Sequence, residues 1–185
     1  MDSAFAWLQY LAEWLGRFVP RWHVMEPTQA AVKVVCGRKI LTQTDGILVW
    51  WPAITSVTIY PVARQANDLR AQTIVTADQK SYVVGGMIVY EISDVEAIVC
   101  HTFDPDDTIR DVALTAIHDV CIQHSESDLL AYARSGRLDT EMRREARKQL
   151  DGYGVRVLRL TLTDLAPCRV YRLVQSQPTE KGMVA

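Results

Sequence analysis

Residues 73–98 read TIVTADQKSYVVGGMIVYEISDVEAI, and no other block constrains the fold as tightly. A strand ends at Thr76, Ala77-Asp78-Gln79-Lys80 form a tight polar turn, and a long strand runs from Ser81 to Ile92. Small polar turn residues between β-branched and aromatic runs specify a hairpin. The strand closes on Ser93-Asp94, and a short acidic helix start follows. Gly85-Gly86 lies inside the long strand, where the pair marks a bulge or a close backbone approach.

Upstream, the pattern is strand-like from Ala30. Ala31–Val35 is one strand, Arg38–Thr42 continues it beyond Gly37, and Asp45-Gly46 forms a turn. Ile47–Pro52 and then Ser56–Tyr60, closed by Pro61, follow as strands. Downstream, Asp104-Pro105 introduces a helix with Asp106 or Asp107 as N-cap. Its apolar residues Ile109, Val112, Ala113, Ala116, Ile117 and Val120 recur at helical spacing. A second helix starts near Ser127, with Leu129, Leu130 and Ala133 apolar, and breaks at Ser135-Gly136. A third spans Leu138 to Leu150 with Met142, Ala146 and Leu150 on one side. Its Arg143, Arg144, Arg147 and Lys148 lie toward the C-terminal turns, where they oppose the helix dipole, and Gly152 is read as the C′ residue. A last strand, Val155–Leu162, leads into Thr163-Asp164-Leu165-Ala166-Pro167.

Before that framework, residues 3–19 (SAFAWLQYLAEWLGRFV) form an amphipathic helix on the wheel. At about 100° per residue, Trp7, Leu11, Trp14 and Phe18 share a stripe. Phe5, Leu8, Ala12, Leu15 and Val19 widen it past half the circumference, while Asp2, Gln9, Glu13 and Arg17 collect opposite. Pro20 stops the helix and Arg21-Trp22-His23 follow as an aromatic-basic border. Such a helix either packs on its own core or a neighbouring subunit, or lies in a membrane interface with tryptophans at headgroup level. The width of the apolar face, three tryptophans in the first 22 residues and the separating proline favour the interface. Burial of six such side chains contributes on the order of 10 kcal/mol as an upper bound. The polar interruptions weigh against a spanning helix.

The chain has 185 residues, enough for one ordinary domain or two small lobes with a proper core, and a net charge of -2, which provides no basic field for nucleic acid. Cys36, Cys100, Cys121 and Cys168 are scattered without a CxxC pair, as in a reduced cytoplasmic protein. No run of eighteen apolar residues appears, and no removable signal peptide is expected. His118, Cys121 and His124 are three apart, but they do not share one helix face and have no fourth ligand. Cys121 is read as core and the histidines as near the surface, with no metal site. Asp104, Asp106 and Asp107 are explained by helix capping rather than calcium. GxSxG, P-loop, HExxH and GxGxxG motifs are absent, so no catalytic residues and no cofactor are expected.

Three segments in order resemble the stomatin–prohibitin–flotillin (SPFH, or Band 7) superfamily. The second signature of that family, a TxDG/K turn before a strand ending YxIxD, is matched by Thr76, Asp78, Lys80, Tyr90, Ile92 and Asp94. A glycine-hydrophobic-proline loop that approaches the bilayer is similar to Gly46, Trp50, Trp51 and Pro52. A closing "ld..GV.V..v.i.dv..P" pattern is similar to Leu150, Asp151, Gly154, Val155, Val157, Asp164 and Pro167. The resemblance covers roughly residues 30–172 and implies an α+β fold: a twisted, mainly antiparallel sheet packed by three helices, plus the N-terminal amphipathic helix. The expected division is a membrane-associating helix over 1–25, the SPFH domain over 26–174 and a disordered polar tail over 175–185. Typical members continue into a long coiled coil that this sequence does not show. The implied role is a non-enzymatic, homo-oligomeric ring-forming scaffold on the cytoplasmic face of a membrane. Its partners are lipids and a client membrane protein such as a protease, and not nucleic acid. Membrane contact is expected at Trp7, Leu8, Leu11, Trp14, Leu15, Phe18, Trp50 and Trp51. The alternative is a soluble assembly subunit, a phage or particle component, whose N-terminal helix docks into its neighbour.

Overall fold

A computed structural model describes residues 18–168. Five strands come first: β1 (Arg21–Val24), β2 (Gln29–Val35), β3 (Lys39–Gln43), β4 (Ile47–Trp50) and β5 (Thr55–Pro61). They are followed by β6 (Gln65–Val75), β7 (Ser81–Ile92), α1 (Val95–His101), α2 (Pro105–Cys121), α3 (Glu126–Ser135), α4 (Arg137–Gln149) and β8 (Val155–Pro167). The α+β class holds, with four helices rather than three among the described residues. The strands form three small antiparallel sheets rather than one: β1-β4, β3-β2-β5 and β6-β7-β8.

The first two sheets make one lobe. Arg38–Thr42 does not prolong β2 but runs back beside it, with Lys39 opposite Val35. Cys36 (φ 51°) and Gly37 (φ 65°) close the hairpin, and the Arg38 amide donates to the Val35 carbonyl at 3.1 Å. Two left-handed residues in succession within this three-residue loop match the right-handed twist of the strands and reverse the chain. Arg21-Trp22-His23, read as a border, instead opens β1 and pairs with β4. Leu48 and the half-buried Trp50 of this ribbon pack with Met25, Ala31 and Val57 on one face of the β3-β2-β5 sheet. Ala30 and Val32, on the other face, join the large core of the second lobe. The first lobe is therefore layered, with the ribbon outermost.

The second lobe is built on β7, which lies between β6 and β8. The hairpin expected at 76–80 forms, with the Thr76 amide donating to the Lys80 carbonyl at 2.9 Å and Gln79 at φ 63°. Its tip is docked on α3: the Ala77 amide donates to the His124 carbonyl at 3.1 Å, and Asp78 accepts from the Glu126 amide at 2.9 Å. The register shifts between Gly85 and Gly86. A Cβ at Gly85 would lie 2.9 Å from Asp164 Oδ2, and one at Gly86 3.0 Å from Ile117 Cδ1. β8 runs to Pro167 rather than stopping at Leu162.

Helix starts follow capping chemistry, with one correction. Asp104, not Asp106 or Asp107, caps α2, accepting from the Asp107 amide at 3.2 Å with Pro105 in the first turn. Asp106 is used otherwise, as acceptor of the buried Tyr90 hydroxyl at 2.9 Å. The C-cap of α4 is Leu150, so Gly152 (φ 86°) stands two residues beyond it rather than at C′. Asp94 caps α1 and accepts from the Glu96 and Ala97 amides. The Gly154 carbonyl accepts the Ser93 and Asp94 amides at 2.8 and 3.0 Å, so the end of β7 and the start of β8 are tied together here. Gly154 has φ 73°, and a Cβ there would lie 2.2 Å from the Asp94 carbonyl oxygen, which makes glycine obligatory.

Candidate functional site at the pole of the first lobe

The ribbon alternates as a strand pair must: Leu48 is buried, while Trp22 lies opposite Val49 and Val24 opposite Ile47 on the outer face. Those four are open to solvent, Trp22 at 71% and Ile47 at 62%. One end of the lobe extends this face. There β1 begins, β2 ends, β3 begins, β4 ends and β5 begins, because Arg21 pairs with Trp50, Val35 pairs with Lys39 and Thr55, and the Cys36 amide donates to the Ile54 carbonyl at 2.9 Å. Trp51 and Ile54 in the β4–β5 loop are exposed at this pole, and Phe18 and Val19 enter it from the N-terminal side.

Of the residues expected to touch a membrane, Trp51 and Phe18 are exposed at the pole. Trp50 is corrected: strand parity turns it inward, where it is half-buried against the small core of the lobe. Trp7, Leu8, Leu11, Trp14 and Leu15 lie outside the described residues, as does the tail. Beside Trp22 of the aromatic-basic border, the outer face carries Val24, Ile47 and Val49, which the sequence pattern did not single out. The alternation in ILVW was visible, but which parity faced outward depended on the partner strand and on the sheet beneath.

Charge is also segregated. Arg21, Arg38 and Lys39 are exposed at the pole, whereas Glu26 and Asp45 sit in the turns at the opposite end of the same strands. Lys33 crosses between the layers, and its Nζ donates to the Val49 carbonyl at 2.6 Å.

Elsewhere the titratable groups serve the scaffold. Glu126 accepts from both Lys80 and Tyr82, which holds its carboxyl below the usual range and raises both donors. Burial and the Asp106 acceptor push the Tyr90 hydroxyl up. Cys121 is core, its thiol pushed up to about 12 by burial. His118 is half-exposed, but His124 is less superficial than expected: its side chain is 20% exposed and contacts Glu141 at 3.0 Å. Among the described residues no group of three or more His, Cys, Asp or Glu could hold a metal, and no helix is long and apolar enough to cross a membrane. A hollow of about 420 Å³ is lined by Ser93, Asp94, Arg147, Asp151, Gly154 and Arg156, where the Ser93 hydroxyl donates to the Gly154 carbonyl at 3.0 Å and Asp94 caps α1.

The SPFH domain / Band 7 family model matches residues 23–182. A protein of Methanothermobacter thermautotrophicus, itself named only as uncharacterized, is 25% identical over 144 residues, 78% of this chain. The matched region spans 45% of that relative's length. The chain belongs to the SPFH domain / Band 7 family, whose members are in general membrane-associated, oligomeric and non-enzymatic scaffolds.

Proposed function

We propose that this chain is a membrane-bound, self-assembling scaffold subunit that meets the bilayer through the outer face and pole of its first lobe. The observation that carries the reading is the contiguous exposure of Trp22, Val24, Ile47, Val49, Trp51 and Ile54 on a rigid layered support. Clustered exposed apolar groups of this kind mark an interaction surface, and tryptophan suits the wet–dry boundary of a bilayer. The amphipathic pattern of residues 3–19, with Trp7, Leu8, Leu11, Trp14, Leu15 and Phe18, would add to the contact. Each subunit binds weakly, and closure into a homo-oligomeric ring multiplies those contacts into avidity. On the cytoplasmic face such a ring corrals lipids or a client membrane protein, for instance a protease.

Flotation of the full chain with phosphatidylcholine vesicles, alongside Trp22→Ser/Trp51→Ser, tests the reading. The variant is expected to fold normally and to lose roughly tenfold in vesicle partition, since each tryptophan surrenders part of its burial energy. A chain that does not float, yet falls to monomers when residues 1–17 are removed, would support the soluble assembly subunit instead.

A further inference from the structure

We infer that Arg21, Arg38 and Lys39 make this pole selective for bilayers bearing anionic headgroups, an assignment that rests on the membrane reading above. Residues 18–62 hold four Lys/Arg and two Asp/Glu, net +2, while residues 63–168 hold twelve and seventeen, net -5. The positive lobe is the one with the apolar outer face. Within it, three of the four cations stand at the pole where Trp51 and Ile54 emerge. Arg38 and Lys39 are placed there by the left-handed Cys36-Gly37 turn, whose Cys36 amide is bonded to Ile54. Arg21 is placed by its pairing with Trp50.

None of the three has an ion-pair partner among the described residues, whereas six of the twelve cations of the second lobe, Arg64, Arg70, Lys80, Arg110, Lys148 and Arg156, do. The lobe's own acids cannot neutralise them. Glu26 and Asp45 lie at the far ends of the strands, roughly 20 Å from Arg38 and Lys39 along the seven-residue β2 and roughly 15 Å from Arg21 along the four-residue β1 and β4, beyond the screening length of about 10 Å at 0.1 M salt. Cations on the rim of an apolar face are positioned for lipid phosphates: the tryptophans enter the interface while the guanidinium and ammonium groups stay at headgroup depth. The acidic second lobe is repelled by the same surface. This sets an orientation, first lobe toward the membrane and helices away.

The test uses the full chain and two vesicle types, pure phosphatidylcholine and a mixture with about one third phosphatidylglycerol. Each cation near an anionic surface contributes about fivefold, so the preference for anionic vesicles is expected to be on the order of a hundredfold at about 0.1 M salt, and to fall to a few-fold near 0.5 M. Arg21→Gln/Arg38→Gln/Lys39→Gln should abolish the preference, whereas Arg144→Gln/Arg159→Gln in the second lobe should leave it intact. Equal partition into both vesicle types, a salt-independent preference, or a preference that survives the triple substitution overturns the inference and leaves the membrane reading standing. Failure to float with either vesicle overturns both.

Discussion

The two lobes solve the burial problem differently. The second places Tyr90, Ile117, Leu138, Met142 and Leu160 in one dry core between sheet and helices, with each side chain 1% exposed or less. Its exposed apolar residues, Phe103 among them, are scattered singly, as on any soluble surface. The first lobe fully buries only Met25, Ala31 and Leu48 in its own core and leans on the second for Ala30 and Val32. Ten of the fourteen large apolar side chains exposed among the described residues belong to it, so its surface is built to be covered. One lobe carries the stability and the other the proposed contact.

The largest expected effect tests the stable half. Gly154→Ala forces a side chain into a left-handed position against the Asp94 carbonyl, and should cost about 3 kcal/mol or more in urea unfolding. A loss below about 1 kcal/mol would show that the junction relaxes and is no keystone. Next, Leu48→Ala should cost about 2–3 kcal/mol, confined to the first lobe. Amide hydrogen exchange should accelerate in β1–β5 while α2, α4 and β8 stay protected. Uniform acceleration would erase the distinction between the lobes.

Acid provides a third test. Because Lys80 and then Tyr82 hold the Glu126 carboxyl below its ordinary range, the stability it lends is present above that range and lost as pH falls through the lowered value. Lys80 is raised by the same contact, so the pair's contribution fades on the alkaline side as Lys80 deprotonates and on the acid side as Glu126 protonates. Glu126→Gln should therefore melt below the wild type near pH 7, and the gap should close as the pH falls below the ordinary carboxylate range. A constant gap would show that the hairpin tip is held by the Ala77 and Asp78 contacts alone. The smallest effect is a gain. Cys36→Asn at φ 51° suits the hairpin turn better and should add about 0.5 kcal/mol in thermal unfolding without altering vesicle binding.

Much of the stable lobe was legible from local rules. Ser81–Ile92 appears as a strand with the bounds read from its alternation, and α2 carries its buried residues at the predicted positions. The errors share one cause. Whether Arg38–Thr42 continued β2 or returned beside it turned on the left-handed conformation of a cysteine, which sequence preference disfavours. Asp104 won the cap from Asp106 because Tyr90, distant in sequence, claimed Asp106 instead. β1 was missed because four residues with a tryptophan and a histidine announce no strand until β4 pairs with them.

The candidate surface divides along the same line. Its ingredients, Trp22, Trp50, Trp51 and the basic residues nearby, are written in the chain, as are the family motifs. Local pattern determined which segments extend, turn and coil, because period, capping and turn chemistry act over a few residues. Only the tertiary structure decided that Trp50 turns in while Trp22 turns out, and that five strand ends meet to gather the cations and apolar groups at one pole. The reason is physical: a strand's two faces are equivalent until a second layer buries one of them, and that layer comes from residues far away in sequence.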